Sequence, residues 1–373
     1  SVNRYVRLIF MISNKKLNIL FPFVGTNVGG SHISAVFMAK ELLKRQHKVN
    51  IVGQRELVKK CFFKSFSLQE LSTFYKPSTN KVLILFLILI NSVKILIFLK
   101  KKKYDLIHIN DHRTGYYWIL PAVLFGIPLV YHYRTKWIES RLMRFLLRKT
   151  NKIICISRYV KCTLPMEFQK KSHIHLNNFE NPLKINKWKK NKSKSVIMYF
   201  GTINKQKNII TFCKMANQLI KIRKDFIFKI VGTKSEYFSE IMDYINKNKQ
   251  KKYFRFFEFS DSMSEHLYKS DLVIAPAIND GFGRTLVESM LHRVPIIASK
   301  SGGHVEIIKS GYNGVLVDLF DHHAYAKEVI KILSDSSFRK AITKKAYIFA
   351  KNNFIKKANS KIDLLIKCYQ KIL

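Results

Sequence analysis

Cysteine is sparse and unpaired in this chain. The five, Cys61, Cys155, Cys162, Cys213 and Cys368, include no Cys-x-x-Cys step and no histidine at a zinc-ligand spacing. That argues against a stapled or zinc-held scaffold and leads to the expectation of a reducing compartment. Acidic residues are scarce too, 24 against 67 Lys and Arg, for a formal net charge of +43. Such an excess favours anionic partners: nucleic acid, an anionic membrane surface or an anionic substrate. No finger, RRM or KH module is present, and the basic residues are spread along the chain rather than gathered in one arm. No specific nucleic-acid partner is therefore expected. The residues ahead of Met11 are not organised as a signal peptide, so with a start at Met11 the expected location is cytoplasmic.

What is present is an alternation. The 373 residues, 47% of them hydrophobic, suffice for two domains with separate cores. Strand-like runs at 17–23, 48–52, 105–110, 127–132, 152–156 and 173–176 are separated by helical patterns such as 31–44 and 115–124. That order predicts βαβ units and a parallel sheet. Between 185 and 195 the composition shifts to Lys187, Lys189, Lys190, Lys192 and Lys194, which reads as a basic linker. The pattern then restarts, with strands expected at 196–200, 226–231, 253–257, 272–275 and 294–298. The expected organisation is an N-terminal Rossmann-like domain at 15–184, a second at 196–352, and a helix at 353–373 whose apolar face (Ile362, Leu365, Ile366, Tyr369) packs back on the first. Two open α/β sheets in series are expected to face a cleft with their ligand-binding strand ends.

Residues 82–99 hold fifteen apolar side chains of eighteen, followed by Lys100, Lys101, Lys102 and Lys103. The length suits a membrane span, but the segment lies between strands of one sheet, which a bilayer cannot divide. Two readings stand: a buried helix, or an interfacial helix with its apolar face in lipid and its lysines on anionic head groups.

The densest signal is the run from Asn279 through Asp280, Gly281, Phe282, Gly283, Arg284, Thr285 and Leu286 to Glu288. A buried strand before it, a glycine turn and a following helix make an anion site, because the first helical turn leaves backbone N–H groups unpaired at its positive end. Two carboxylates eight residues apart can then take hydroxyl donors on either side of the anion. The combination suits a nucleotide sugar. An ordinary helix with a solvated acid at each end has the same local sequence.

These features together resemble the nucleotide-sugar glycosyltransferases of family 4, which have the two-domain GT-B fold. The resemblance runs from about residue 18 to about residue 318. The family carries Glu, seven residues, Glu around a Gly-Phe-Gly turn, then a strand, a Gly-Gly pair and a further Glu. Asp280, Gly281, Phe282, Gly283 and Glu288, followed by Ser301-Gly302-Gly303-His304-Val305-Glu306, fill that pattern. The resemblance implies Glu288 on the donor ribose, Asp280 on the donor sugar, and backbone amides at Arg284, Thr285 and Leu286 on the diphosphate. Asp in place of Glu shortens the reach by one methylene. The run from Met198 through Gly201, Thr202 and Lys205 to Lys207 matches the family's Gly-Arg-Leu turn with its later Lys, which assigns diphosphate binding to Lys207. Thr202 stands where an Arg is expected, and Lys205 is the candidate to replace that charge. Gly29 and Gly30, opening a helix that Ser31 can cap, match the loop placed beside donor phosphates and acceptor. His132, ending a strand, matches an active-site histidine facing the donor sugar, and His108 and His112 are candidates to shape the acceptor pocket at the same rim.

The implied reaction moves a sugar from a nucleoside diphosphate to a glycan or lipid-linked hydroxyl, with retention and with domain closure, in cell-surface polysaccharide or lipopolysaccharide synthesis on the inner membrane face. Fixed amides and Lys207 would stabilise the charge on the departing diphosphate. No cofactor and no metal is expected, and no Asp-x-Asp pair is found in the expected site. The alternatives are a sugar-nucleotide epimerase or hydrolase on the same scaffold, or a non-catalytic membrane- or polyanion-binding protein.

Overall fold

The computed structural model describes residues 15–25, 29–55, 67–71, 81–182, 193–258 and 263–373. Most of the expected basic linker, together with Met11, Asn27, Val28 and Cys61, lies outside the described residues. The chain forms two compact units, Ser1–Asn178 with Lys357–Leu373, and Phe179–Lys356.

In unit 1, strands β1 (Asn18–Pro22), β2 (Lys48–Gly53), β3 (Ser67–Glu70), β4 (Leu106–Ile109), β5 (Leu129–Tyr133), β6 (Lys152–Cys155) and β7 (Ser172–Ile174) alternate with helices. The helices are α1 (Gly30–Lys44), α2 (Lys81–Lys100), α3 (His112–Leu124), α4 (Arg141–Arg148), α5 (Arg158–Thr163) and α6 (Met166–Lys170). The strands are parallel in the order β3-β2-β1-β4-β5-β6-β7. Strands covered on both faces need apolar side chains throughout, and all four residues of β4 are buried.

Unit 2 repeats the plan with β8 (Ser195–Phe200), β9 (Phe226–Val231), β10 (Phe254–Phe257), β11 (Leu272–Ala275), β12 (Ile296–Ser299) and β13 (Val315–Val317). Its helices are α7 (Ile209–Ile222), α8 (Tyr237–Lys247), α9 (Met263–Tyr268), α10 (Arg284–Leu291), α11 (His304–Ile307), α12 (His322–Ser334) and α13 (Ser336–Ala350), with a π-helical turn at Lys351–Lys356. The strand order is β10-β9-β8-β11-β12-β13, again parallel. The expected class, two Rossmann-like α/β domains with parallel sheets, is thus the observed one.

The last helix, α14 (Ala358–Gln370), belongs to unit 1. Ile362, Leu365 and Tyr369 join the core formed by β1, α1 and β2, and the Arg45 guanidinium meets Asp363 at 2.8 Å. The unit boundaries differ from the expected 184 and 353. Phe179 stacks on Phe282 (6.2 Å between centroids), and Phe354 stands edge-on to Phe179 and Phe282 at 5.7 Å each. This aromatic cluster draws both connecting segments into unit 2.

Helix α2 is apolar on two faces. Ile88, Asn91, Ile95 and Leu99 are buried, while Phe98 stacks on Tyr104 and meets Trp118 of α3 edge-on. Leu85, Phe86, Leu89, Val93 and Ile97 are exposed, each by more than half. At 100° per residue these five fall within one stripe about a third of the helix circumference wide. Among the described residues no helix is long and apolar enough to cross a membrane.

Candidate functional site

In a doubly wound sheet the ligand crevice opens outside the strand carboxyl ends where the order reverses. In unit 2 that point lies between β8 and β11. The loop leaving β8 starts at Gly201, and Gly232 permits its path: a Cβ on Gly232 would stand 1.9 Å from the Gly201 carbonyl oxygen. The loop is tied to the end of β11 by two bonds. The buried Asn208 amide donates to the Pro276 carbonyl at 3.0 Å, and the Ile278 N–H donates to the Gln206 carbonyl at 2.8 Å. Lys207 N–H donates to the Asn204 side chain at 2.8 Å, which fixes the backbone from which the lysine reaches out.

Lys207 and Asp280 meet there. The ammonium donates to Asp280 Oδ2 at 2.6 Å, with the two side chains 31% and 20% exposed. His304 Nε2 lies 3.8 Å from the same oxygen. Burial alone would raise the Asp280 carboxyl, but the Lys207 ammonium and His304 outweigh it and hold the group well below the usual carboxylate range. His304 was part of the matched motif without an assigned role. Its approach depends on the glycines before it: Gly302 has φ +59° and a Cβ there would stand 2.4 Å from the Asp280 carbonyl oxygen, while Gly303 N–H donates to that oxygen at 2.7 Å. A Gly-Gly-His step after a buried strand is the signal that could have found it.

Gly283 caps α10 in the left-handed region (φ +95°). Of the amides expected to meet a phosphate, that of Leu286 already donates to the Gly283 carbonyl at 3.0 Å. Phe282 is buried in the aromatic cluster, so its side chain packs and only its backbone lines the turn. Arg284 lies over the Phe179 ring at 4.5 Å and donates to Glu288 Oε1 at 2.9 Å. Glu288 therefore sits one turn into α10, oriented by an arginine. Lys205, the candidate for the charge absent at Thr202, reaches toward Glu240 (4.0 Å) and the Tyr237 ring.

In unit 1, Gly29 rather than Ser31 caps α1, and its N–H donates to His32 Nδ1 at 3.1 Å. The helix begins one residue earlier than expected, which places Ser31 inside it. His132 is fully buried near the end of β5. Its Nδ1 lies 3.2 Å from His108 Nε2 and 3.3 Å from Arg134 Nη2. His108 does not line a rim as expected. It too is fully buried, with Nδ1 2.6 Å from the Tyr369 hydroxyl of α14. Burial, then Arg134 and neighbouring histidines, hold both imidazoles well below their ordinary value. His112 opens α3 and bridges Tyr131 (2.7 Å) and Thr135 (2.9 Å). Among the described residues no group of three or more His, Cys, Asp or Glu side chains is arranged to hold a metal ion.

The arrangement in unit 2 offers one cation and a helix N-terminus to an anion, flanked by two carboxylates able to accept hydroxyl protons. Comparison with known proteins agrees with the fold. Residues 28–176 match the family model described as Glycosyltransferase Family 4, and residues 180–349 match Glycosyl transferases group 1. The fold is that of the GT-B glycosyltransferases, and each half of the chain is similar to a glycosyltransferase family model. An uncharacterized glycosyltransferase of Methanocaldococcus jannaschii is 23% identical over 209 residues, 56% of this chain and 57% of that protein, so the chain spans just over half of this relative's length. The UDP-Gal:alpha-D-GlcNAc-diphosphoundecaprenol alpha-1,3-galactosyltransferase of Escherichia coli is 24% identical over 275 residues, covering 64% of this chain and 68% of that one. Among solved structures, Anabaena HepE in complex with UDP and glucose superposes with a TM-score of 0.78 at 18% identity, over 96% of this chain and all of that one.

Proposed function

We propose that the protein transfers a sugar from a nucleoside-diphosphate sugar to a hydroxyl of a glycan or lipid-linked acceptor, with retention of anomeric configuration and without a metal. The observation that carries this is the Lys207–Asp280 pair at the β8/β11 crevice, in the loop before α10, whose first turn leads to Glu288. Lys207 and the α10 amides meet the diphosphate, and charge developing on the leaving group is stabilised by donors already in place. Glu288 accepts from the ribose hydroxyls, and Asp280 from the sugar. For His132 the reading keeps the role that the family resemblance implies. The bound UDP and glucose of HepE and the lipid diphosphate substrate of the Escherichia coli enzyme support this choice of donor and acceptor.

The reaction takes place on the cytoplasmic face of an anionic membrane, in the synthesis of a surface glycan. Support comes from the exposed apolar stripe of α2 and the exposed Lys100, Lys101, Lys102 and Lys103 at its end. Titration with UDP- and GDP-sugars tests the core of the reading. Binding that is lost in Glu288→Ala supports it, and no binding to any nucleotide sugar sinks it. Turnover of a bound donor that needs no acceptor would turn the assignment toward an epimerase or hydrolase. Flotation with phosphatidylglycerol vesicles at low salt tests the membrane contact, which should be weakened by neutralising the four lysines.

A further inference from the structure

The buried histidines of unit 1 form a chain whose hydrogen-bond direction can be worked out. Tyr369 OH, His108 Nδ1, His108 Nε2 and His132 Nδ1 follow one another at 2.6 and 3.2 Å across the spaces between rings. Such a chain has two self-consistent polarities. In one, the phenol donates to His108 and His108 donates to His132. In the other, every proton is reversed, and the phenol turns to the Met38 sulfur at 3.8 Å, a weak acceptor.

Arg134 breaks the tie. A guanidinium carries only donors, so its Nη2 contact with His132 Nδ1 exists only when that nitrogen bears no proton. Arg134 is itself held, with Nε and Nη2 on the Asn110 side chain and Nη1 on Asn177. With Nδ1 accepting from two sides, the His132 proton belongs on Nε2. That atom is buried and has no hydrogen-bond partner among the described residues. A buried N–H without an acceptor costs about 1–3 kcal/mol, so it is a place where an incoming oxygen is favoured.

We propose that Arg134 fixes His132 in the Nε2–H tautomer as a hydrogen-bond donor to a ligand oxygen, with His108 and Tyr369 as positioning residues behind it. The identity of the ligand that carries that oxygen rests on the function proposed above; the tautomer does not. His132 then acts by donating from Nε2 and does not take a proton from the acceptor.

Long-range 1H–15N spectra of protein labelled with 15N-histidine read the tautomer of each of the twelve histidines directly. The His132 signal is assigned by its loss in His132→Gln. At pH 7 it should report Nε2–H in the wild type, in Arg134→Lys and in Tyr369→Phe, and shift toward Nδ1–H in Arg134→Met. In Tyr369→Phe the His108 signal alone should change. An Nδ1–H or doubly protonated His132 in the wild type overturns the proposal, as does a His132 tautomer that flips in Tyr369→Phe. Should Arg134→Met fail to fold, the wild-type and Tyr369→Phe spectra still decide. Affinities for UDP-glucose, UDP-galactose and GDP-mannose are measured alongside. Arg134→Lys should keep the wild-type preference and Arg134→Met should lose about tenfold or more, one charge-assisted or buried hydrogen bond. If the wild type binds none of the three, the function proposed above fails while the spectra still judge the tautomer.

Discussion

Lys207→Met removes the cation from Asp280 and leaves its carboxylate in place. Ion pairs on an open surface contribute about 0–1 kcal/mol, and breaking a buried one costs about 3–5 kcal/mol. With side chains 31% and 20% exposed and a 2.6 Å contact, this pair lies between those limits, and a coupling of about 2 kcal/mol is expected. In a unit of this size that corresponds to about 4–8 °C in the unfolding midpoint. A double-mutant cycle of Lys207→Met, Asp280→Asn and both together, followed by calorimetry, isolates the pair from the loss of each side chain. The pH dependence follows from the direction of the Asp280 shift. A folded carboxyl held below its unfolded value of about 3.9 gives stability that is complete above that pH and is lost only as pH falls below it toward the folded value. The coupling should therefore be flat from pH 5 to 8. A coupling under about 0.5 kcal/mol, or one that varies across that range, would refute the reasoning. The same lysine is assigned to the donor diphosphate, so Lys207→Met should also lower kcat/KM by about 100-fold or more, the usual consequence of removing a preorganised charge.

Glu288→Gln should weaken binding of a ribonucleoside diphosphate by about tenfold while leaving its 2′,3′-dideoxy analogue unaffected, since the loss belongs to the ribose hydroxyls; isothermal titration measures both. Gly302→Ala should destabilise unit 2 by about 3 kcal/mol or more, because the new Cβ would stand 2.4 Å from the Asp280 carbonyl oxygen at φ +59°, and a thermal melt is sufficient to see it. Acid should weaken unit 1. Burial lowers His32, His108 and His132, and takes His175 down to about 3, so the unfolded chain binds protons first as pH falls below about 6.5. Each such histidine costs at most about 1.4 kcal/mol per pH unit in that window, and melting at pH 7, 6 and 5 should show the decline. Changing Leu85, Phe86 and Leu89 together to Ser should reduce vesicle flotation without lowering the melting temperature, since all three are exposed.

Strands β9 and β11 were legible at their observed ends because buried parallel strands are short unbroken apolar runs. Strand β3, with the sequence Ser-Leu-Gln-Glu and largely exposed, carries no such signal, and β13 has only three residues. The two readings of residues 82–99 could not be separated by pattern, since a helix apolar all round has no periodicity to report. In the structure one face is buried and the other exposed. The residues around the crevice were nameable one by one, but not their pairing. Lys207 and Asp280 are 73 positions apart, and only the reversal of strand order between β8 and β11 puts their loops side by side. His108 was misplaced at the rim because a strand-end position does not say which way the ring turns. Its bond to Tyr369, from a helix at the far end of the chain, was beyond any local reading.

That last helix makes the two units unequal in the order in which they can be completed. His108 and Tyr369 are separated by 261 residues, and translation at about 5–20 residues per second puts about 13–50 s between them. All of unit 2 is synthesised in that interval. The second unit can therefore finish folding first, while the first waits for Ile362, Leu365 and Tyr369 to close its core. A stop or frameshift after residue 357 would spare every residue at the β8/β11 crevice, yet leave the His108–His132 chain without its phenol.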